Sequence, residues 1–152
     1  MTSLPKKIAL ACDHRGFELK ESILEILKQK KYEVIDCGTN SADAVDYPDF
    51  ILKAAEKVAH GECERAIGVC YTGIGSTIAA NKVKGVRAAL VRSVKEAELS
   101  RAHNDSNMLI LGAGFVKPAQ VKKIIGTWLE TPFEGGRHAR RIAKITRYEK
   151  EH

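Results

Sequence analysis

Apolar residues along the chain fall into five short runs, separated by longer stretches with helical spacing. The runs are Ile8–Ala11, Glu33–Asp36, Ala66–Val69, Val86–Val91 and Met108–Leu111, each rich in β-branched residues or bounded by Gly, Asp and Cys. They predict β-strands. Between them, Phe17, Leu19, Ile23, Leu24, Ile26 and Leu27 line one side of a first helix, and Phe50, Leu52, Ala55 and Val58 mark a second. A third covers Ile78 to Val83. Ser93-Val94-Lys95-Glu96 has the form of a capping box and opens a fourth. Pro118 sits at a first helical position and opens a fifth, with Val121, Ile124, Ile125 and Trp128 on its face. The last runs from about Gly136 to Tyr148. Strands alternating with helices predict an α/β, Rossmann-like three-layer sandwich around a five-stranded parallel sheet. No linker or repeat interrupts the pattern, so residues 1–152 read as one domain. The final helix has no strand after it and carries dense positive charge, which fits packing on a second subunit.

In open parallel sheets, ligands bind beyond the carboxyl ends of the strands. The first three expected strands end in Cys12-Asp13-His14, Asp36-Cys37-Gly38-Thr39 and Cys70-Tyr71-Thr72-Gly73, and His103-Asn104-Asp105 precedes the fifth. All four groups are expected at the ligand edge. Cys70 stands out: a strand ends at a thiol, two glycines follow within five residues, and a helix begins. Such a turn exposes successive backbone N–H groups to an anion, and donors of this kind favour thiolate over thiol. The plainer reading is a small buried hydrophobe, as most free cysteines are.

Three chemistries compete for that cradle. A phosphatase of the Cys-x5-Arg type needs arginine where this chain has Ser76, which rules it out. A dinucleotide fingerprint fits poorly, since Gly73-Ile74-Gly75 lacks its third glycine and follows the third strand. Proton abstraction beside a carbonyl needs a base and preorganised donors for an enediolate oxygen, and fits well. Asp13 could act in chemistry or cap a helix; His103 carries the same ambiguity. Arg137 and Arg141 lie four apart and share a helix face, suited to a phosphate or to a merely solvated basic turn.

Composition narrows the setting. The 152 residues carry a formal net charge of +6, which favours anionic partners. The four cysteines, Cys12, Cys37, Cys63 and Cys70, show no C-x-x-C spacing and no zinc pattern. The first residues lack a secretory leader and no apolar run is long enough to span a membrane. Together these imply free thiols in a reducing, cytoplasmic setting.

Five stretches in order, "CDHRGFELK" from Cys12, "DYPDF" from Asp46, "CYTGIGSTIAANK" from Cys70, "SRAHNDSN" from Ser100 and "FEGGRHARRI" from Phe133, resemble the type B ribose-5-phosphate isomerase family, which also includes galactose-6-phosphate isomerase subunits. The resemblance covers nearly the whole chain. It implies interconversion of ribose 5-phosphate and ribulose 5-phosphate through a cis-enediolate, without metal or cofactor. It also implies that Cys70 is the base, that Thr72 assists at the reacting oxygens, and that the backbone from Tyr71 through Gly73 and Ile74 to Gly75 holds the enediolate. His103 would open the sugar ring with Asp13 near the ring oxygen. His14, Arg137 and Arg141 would bind phosphate, and Tyr47 and Asn104 would touch substrate. The assembly implied is a homodimer with shared active sites, or a tetramer of such dimers, with no nucleic acid and no membrane as partner. Two positions depart from the family. Tyr71 stands where Gly or Ser is usual, and Gly114 stands where many ribose-phosphate members carry a phosphate-binding arginine. Another sugar phosphate, tetrose or hexose, is therefore a second reading. A non-catalytic nucleotide- or phosphate-binding module is a third, and an RNA-binding protein ranks last, with no aromatic platform for bases.

Overall fold

The computed structural model describes residues 4–152. The leader reading and the domain expectation both include residues 1–3, which lie outside it. Five parallel strands, β1 (Lys7–Cys12), β2 (Glu33–Asp36), β3 (Arg65–Cys70), β4 (Ala88–Leu90) and β5 (Met108–Gly112), form one sheet in the order β2-β1-β3-β5-β4. The helices are α1 (Phe17–Gln29), α2 (Tyr47–Ala59), α3 (Ile74–Ala80), α4 (Val94–Ala102), α5 (Val121–Glu130) and α6 (Arg137–Glu151).

Alternation along the strands decides the layers. Ile8, Leu10, Ile67, Val69, Leu109 and Leu111 face α1, α4 and α5, where Trp128 is fully buried. Ala9, Ala11, Ala66, Met108 and Ile110 face α2 and α3. Small residues on the second face let α2 approach closely: a Cβ on Gly68 would lie 2.8 Å from Ile51 Cδ1. The expected α/β architecture is the observed one.

Differences from the sequence reading are local. β4 is three residues, not six, because it pairs only with β5, between Ala88↔Met108 and Leu90↔Ile110. α3 starts at Ile74, four residues before the expected Ile78, since Gly73 turns the chain at φ +79° and the helix begins at once. The fifth helix opens with a 3-10 turn at Pro118–Gln120 before α5. Half of the capping box at Ser93 forms: Ser93 Oγ accepts from the Glu96 amide at 3.1 Å, while Glu96 Oε1 reaches one residue past the cap and accepts from the Arg92 amide at 3.0 Å.

One ion pair, between a buried lysine and a partly exposed aspartate, fixes the loop after β2. Lys20 is fully buried on the stripe it shares with Ile23 and Leu27. Its Nζ donates to Asp36 Oδ1 and Oδ2 at 3.0 and 2.9 Å, to the Thr39 carbonyl at 2.7 Å and to Asn40 Oδ1 at 3.0 Å. The Thr39 amide in turn donates to the Cys12 carbonyl at 2.8 Å. The segment leading to α2 is thereby tied to the end of β1.

α6 contributes to neither core cluster. Of its fifteen residues only His138 is buried, while Ile145 and Tyr148 are exposed.

Candidate active site

Two groups of polar residues emerge, and the sheet keeps them apart. The first gathers at the carboxyl ends of β1 and β3. Cys70 closes β3, is 5% exposed, and its Sγ accepts the Gly73 amide at 3.2 Å. Thr72 Oγ1 accepts the Ile74 amide at 3.1 Å. Among the described residues the Gly75 and Ser76 amides, in the first turn of α3, have no acceptor, so the turn presents donors beside the thiol. Gly73 is required by its backbone: besides the positive φ, a Cβ would lie 2.4 Å from Leu90 Cδ1.

The other members of this group lie around the turn. Asp13 is 7% exposed; its Oδ1 accepts the amides of Arg15 and Gly16, both at 3.0 Å. It thus turns the chain toward α1 but does not cap it: the N-cap is Gly16, and no side chain bonds the first turn of the helix. His14 Nδ1 accepts the Val45 amide at 3.1 Å, which makes Nε2 the protonated nitrogen of the neutral ring, available as a donor. Tyr47 opens α2 and lays its ring over Gly75, where a Cβ would lie 2.5–2.8 Å from ring atoms. Tyr71 turns its ring over Gly114, edge-on to Phe115 at 5.8 Å.

Unlike Cys70, the other three thiols accept no amide among the described residues. Burial pushes Cys12 up to about 11 and Cys63 up to about 11, and raises Cys37 as well. They are poor nucleophiles near neutral pH.

The second group is His103, Asn104, Arg137 and Arg141. His103 caps α4, its amide donating to Leu99 at 2.9 Å. Its ring stacks on that of His138, centroids 4.2 Å apart and planes 9° from parallel. The Asn104 carbonyl accepts from Arg87 Nε at 3.1 Å. Arg137 and Arg141 flank His138 on α6 and form no ion pair among the described residues. This corrects the placement of His103-Asn104-Asp105 at the ligand edge. α4 runs back across the sheet, and residues preceding β5 lie at its amino edge. Met108 pairs with Ala66, and Gly112 with Cys70. Four residues of strand, about 13 Å, separate the two edges.

His138 and Glu134 were not singled out from the sequence. The signal was His138 between the two arginines on the helix that also carries an apolar stripe. Nitrogen and oxygen atoms of His103, Glu134 and His138 lie within 4.8 Å of one another. Near-parallel imidazole planes do not meet at a common point, so the pair is set for stacking and not for one shared ion. His138 Nε2 is buried without a hydrogen bond, and Glu134 Oε2 stands 3.4 Å away.

Burial first, then His103 and Arg137, push the His138 imidazole below its ordinary value, against an opposing pull from Glu134. The unfolded chain therefore takes up this proton more readily than the folded one. The contribution is present above the ordinary imidazole value of about 6.5 and is lost as pH falls below it. Thermal unfolding between pH 7.5 and 5.5 should show a lower midpoint at the acid end. His138→Gln should flatten that dependence; an unchanged slope would assign it elsewhere.

An all-parallel sheet with a thiol, a donor-rich turn and a His/Asp pair on its carboxyl edge defines an α/β site that sets a base beside donors for an anion. Residues 8–145 match the Ribose/Galactose Isomerase family, and the chain belongs to it. It is 45% identical over 144 residues to ribose-5-phosphate isomerase B of Escherichia coli K12, covering 95% of this chain and 97% of that one. The structure of Clostridium thermocellum ribose-5-phosphate isomerase B is similar at TM-score 0.93 and 50% identity, covering 95% of this chain and 98% of that one. A Mycoplasma genitalium ribose-5-phosphate isomerase B, with ribulose-5-phosphate bound, is similar at TM-score 0.92 and 49% identity over 96% of this chain and 97% of that one.

Proposed function

We propose that this chain is an aldose–ketose isomerase that interconverts ribose 5-phosphate and ribulose 5-phosphate, and that residues 1–152 act as one domain. The observation that carries the reading is Cys70 Sγ at the end of β3, facing a turn whose Gly75 and Ser76 amides are free. In the open-chain aldose, the Cys70 thiolate takes the C2 proton. The C–H electrons form the C1=C2 bond, and the carbonyl π electrons move onto O1. The turn amides stabilise that oxyanion. The Thr72 hydroxyl relays the O2 proton to O1, and the Cys70 thiol returns its proton to C1, giving the ketose. Only protons move, so the reaction needs no redox carrier. Asp13 lies near the ring oxygen, Tyr47 contacts the sugar and His14 donates Nε2–H to phosphate, while Asn104, in the second group, contacts the sugar from a second copy of the chain.

The imidazole that opens the ring and two phosphate-binding guanidiniums come from a second copy: the partner subunit's His103, Arg137 and Arg141. This homodimer is supported by the distance between the two edges and by α6, whose apolar Ile145 and Tyr148 are exposed, as are Ile74 and Ile78 on α3. Four unpaired cysteines suit a reducing compartment such as the cytoplasm.

The test is turnover of ribose 5-phosphate by purified protein, followed by complementation. Cys70→Ala and His103→Ala are each expected to be nearly inactive. Equal mixing with subunit exchange should restore about a quarter of wild-type activity, because half the dimers then hold one intact site. No recovery would place both residues in the same chain's site or outside it.

A further inference from the structure

One cation at the rim of the site has no assigned role. Arg15 follows His14 in the turn that Asp13 organises, and its side chain is exposed. The guanidinium carbon lies 3.5 Å over the centroid of the Tyr71 ring. At that distance the planar group is held against the aromatic face, with its N–H edge left free. Tyr71 is itself held: Phe115 meets it edge-on, and Gly114 leaves no atom where a Cβ would come within 2.4–2.9 Å of ring atoms. Among the described residues no carboxylate lies within ion-pair distance of Arg15. Glu18 and Ser22 line the same hollow of about 330 Å³ with Arg15 and Tyr71, yet neither bonds to it.

A positioned guanidinium without a counter-ion calls for an anion. Its neighbours narrow the choice. Tyr71 directly follows Cys70, and Arg15 directly follows His14, whose Nε2–H has no partner among the described residues. We propose that Arg15, clamped on Tyr71, is a phosphate-binding residue of this site, taking oxygens of the substrate's phosphate group through its N–H fork. This rests on the isomerase reading above. It also gives Tyr71 and Gly114 one shared explanation. A side chain at 114 and the phenol ring compete for one volume, so a cation cannot reach the site from 114 while Tyr71 is present. Arg15 supplies the charge from the opposite element, α1's leading turn, and Tyr71 is its platform.

The test is steady-state kinetics with ribose 5-phosphate and competitive inhibition by inorganic phosphate. Arg15→Met should raise both KM and the phosphate inhibition constant about tenfold, with kcat within about twofold. Arg15→Lys should recover only part, and Tyr71→Leu should resemble Arg15→Met. In an Arg15→Met/Tyr71→Gly background, adding Gly114→Arg should restore phosphate affinity. An unchanged phosphate constant in Arg15→Met overturns the proposal, as does a fall in kcat alone. Should the wild type not turn over ribose 5-phosphate, the isomerase reading fails. Calorimetric titration with inorganic phosphate then still reads Arg15 directly. Thermal unfolding of each variant separates lost binding from lost fold.

Discussion

Cys70→Ala is expected to lower kcat by on the order of a thousandfold or more, the scale of a lost general base, while KM for ribose 5-phosphate changes little. Exchange of solvent deuterium into the sugar should disappear with it. The substitution removes one buried sulfur that accepts a single amide, Gly73 N–H, so the fold should persist. Cys70→Ser should recover little, since a hydroxyl is a far weaker acid than a thiol and its alkoxide is scarce at neutral pH. A second reading of the same residue is chemical. Alkylation near neutral pH should label Cys70 first, and ribose 5-phosphate should protect it. Cys12 and Cys63, both pushed up to about 11 by burial, should lag far behind. Retained deuterium exchange in Cys70→Ala would remove the thiol from the proton transfer and leave the turn amides as a binding site without a base.

Lys20→Met should be the most destabilising of the substitutions considered. The lysine side chain is fully buried and holds four oxygen acceptors, while its partner Asp36 is 30% exposed. Removing one member of a buried pair costs about 3–5 kcal/mol. For a chain of this size that lowers the unfolding midpoint by roughly 6–20 °C. Methionine fills most of the volume, so the loss reports the unpaired Asp36 carboxylate and the stranded Thr39 carbonyl rather than a cavity. The loop between β2 and α2 also carries Tyr47 to its place over Gly75. Lys20→Met should therefore raise KM even at temperatures where the protein is folded. A midpoint within a degree or two of wild type would show that Asp36 rehydrates without penalty.

Much of this was legible in the pattern of apolar positions. The strands β1, β2, β3 and β5 fall within two residues of the apolar runs, because buried parallel strands leave little room for polar residues. The sequence marks α3 late because Ile74 stands between Gly73 and Gly75; Ile74 and Ile78 are both exposed, and apolar spacing records a face to be covered, whether by the chain's own core or by another surface. Lys20 went unnoticed although it sits on the buried stripe of α1 with Ile23 and Leu27. Its burial follows from Asp36, Thr39 and Asn40, which lie 16 to 20 residues away in sequence. His103 was placed at the wrong edge because order along the chain does not say which end of a strand a residue approaches. The register Ala66↔Met108 does. His138, buried beside His103, has no local mark beyond its place between Arg137 and Arg141.

The depth of the sheet between thiol and imidazole has a further meaning for the cell. With the site shared as proposed, a lone folded chain owns every reactive group yet brings no single sugar to all of them. Catalytic rate would then fall as the square of chain concentration once association is incomplete. On that proposal, newly made or diluted chains would stay chemically silent until they meet, and the encounter of two copies would act as the switch.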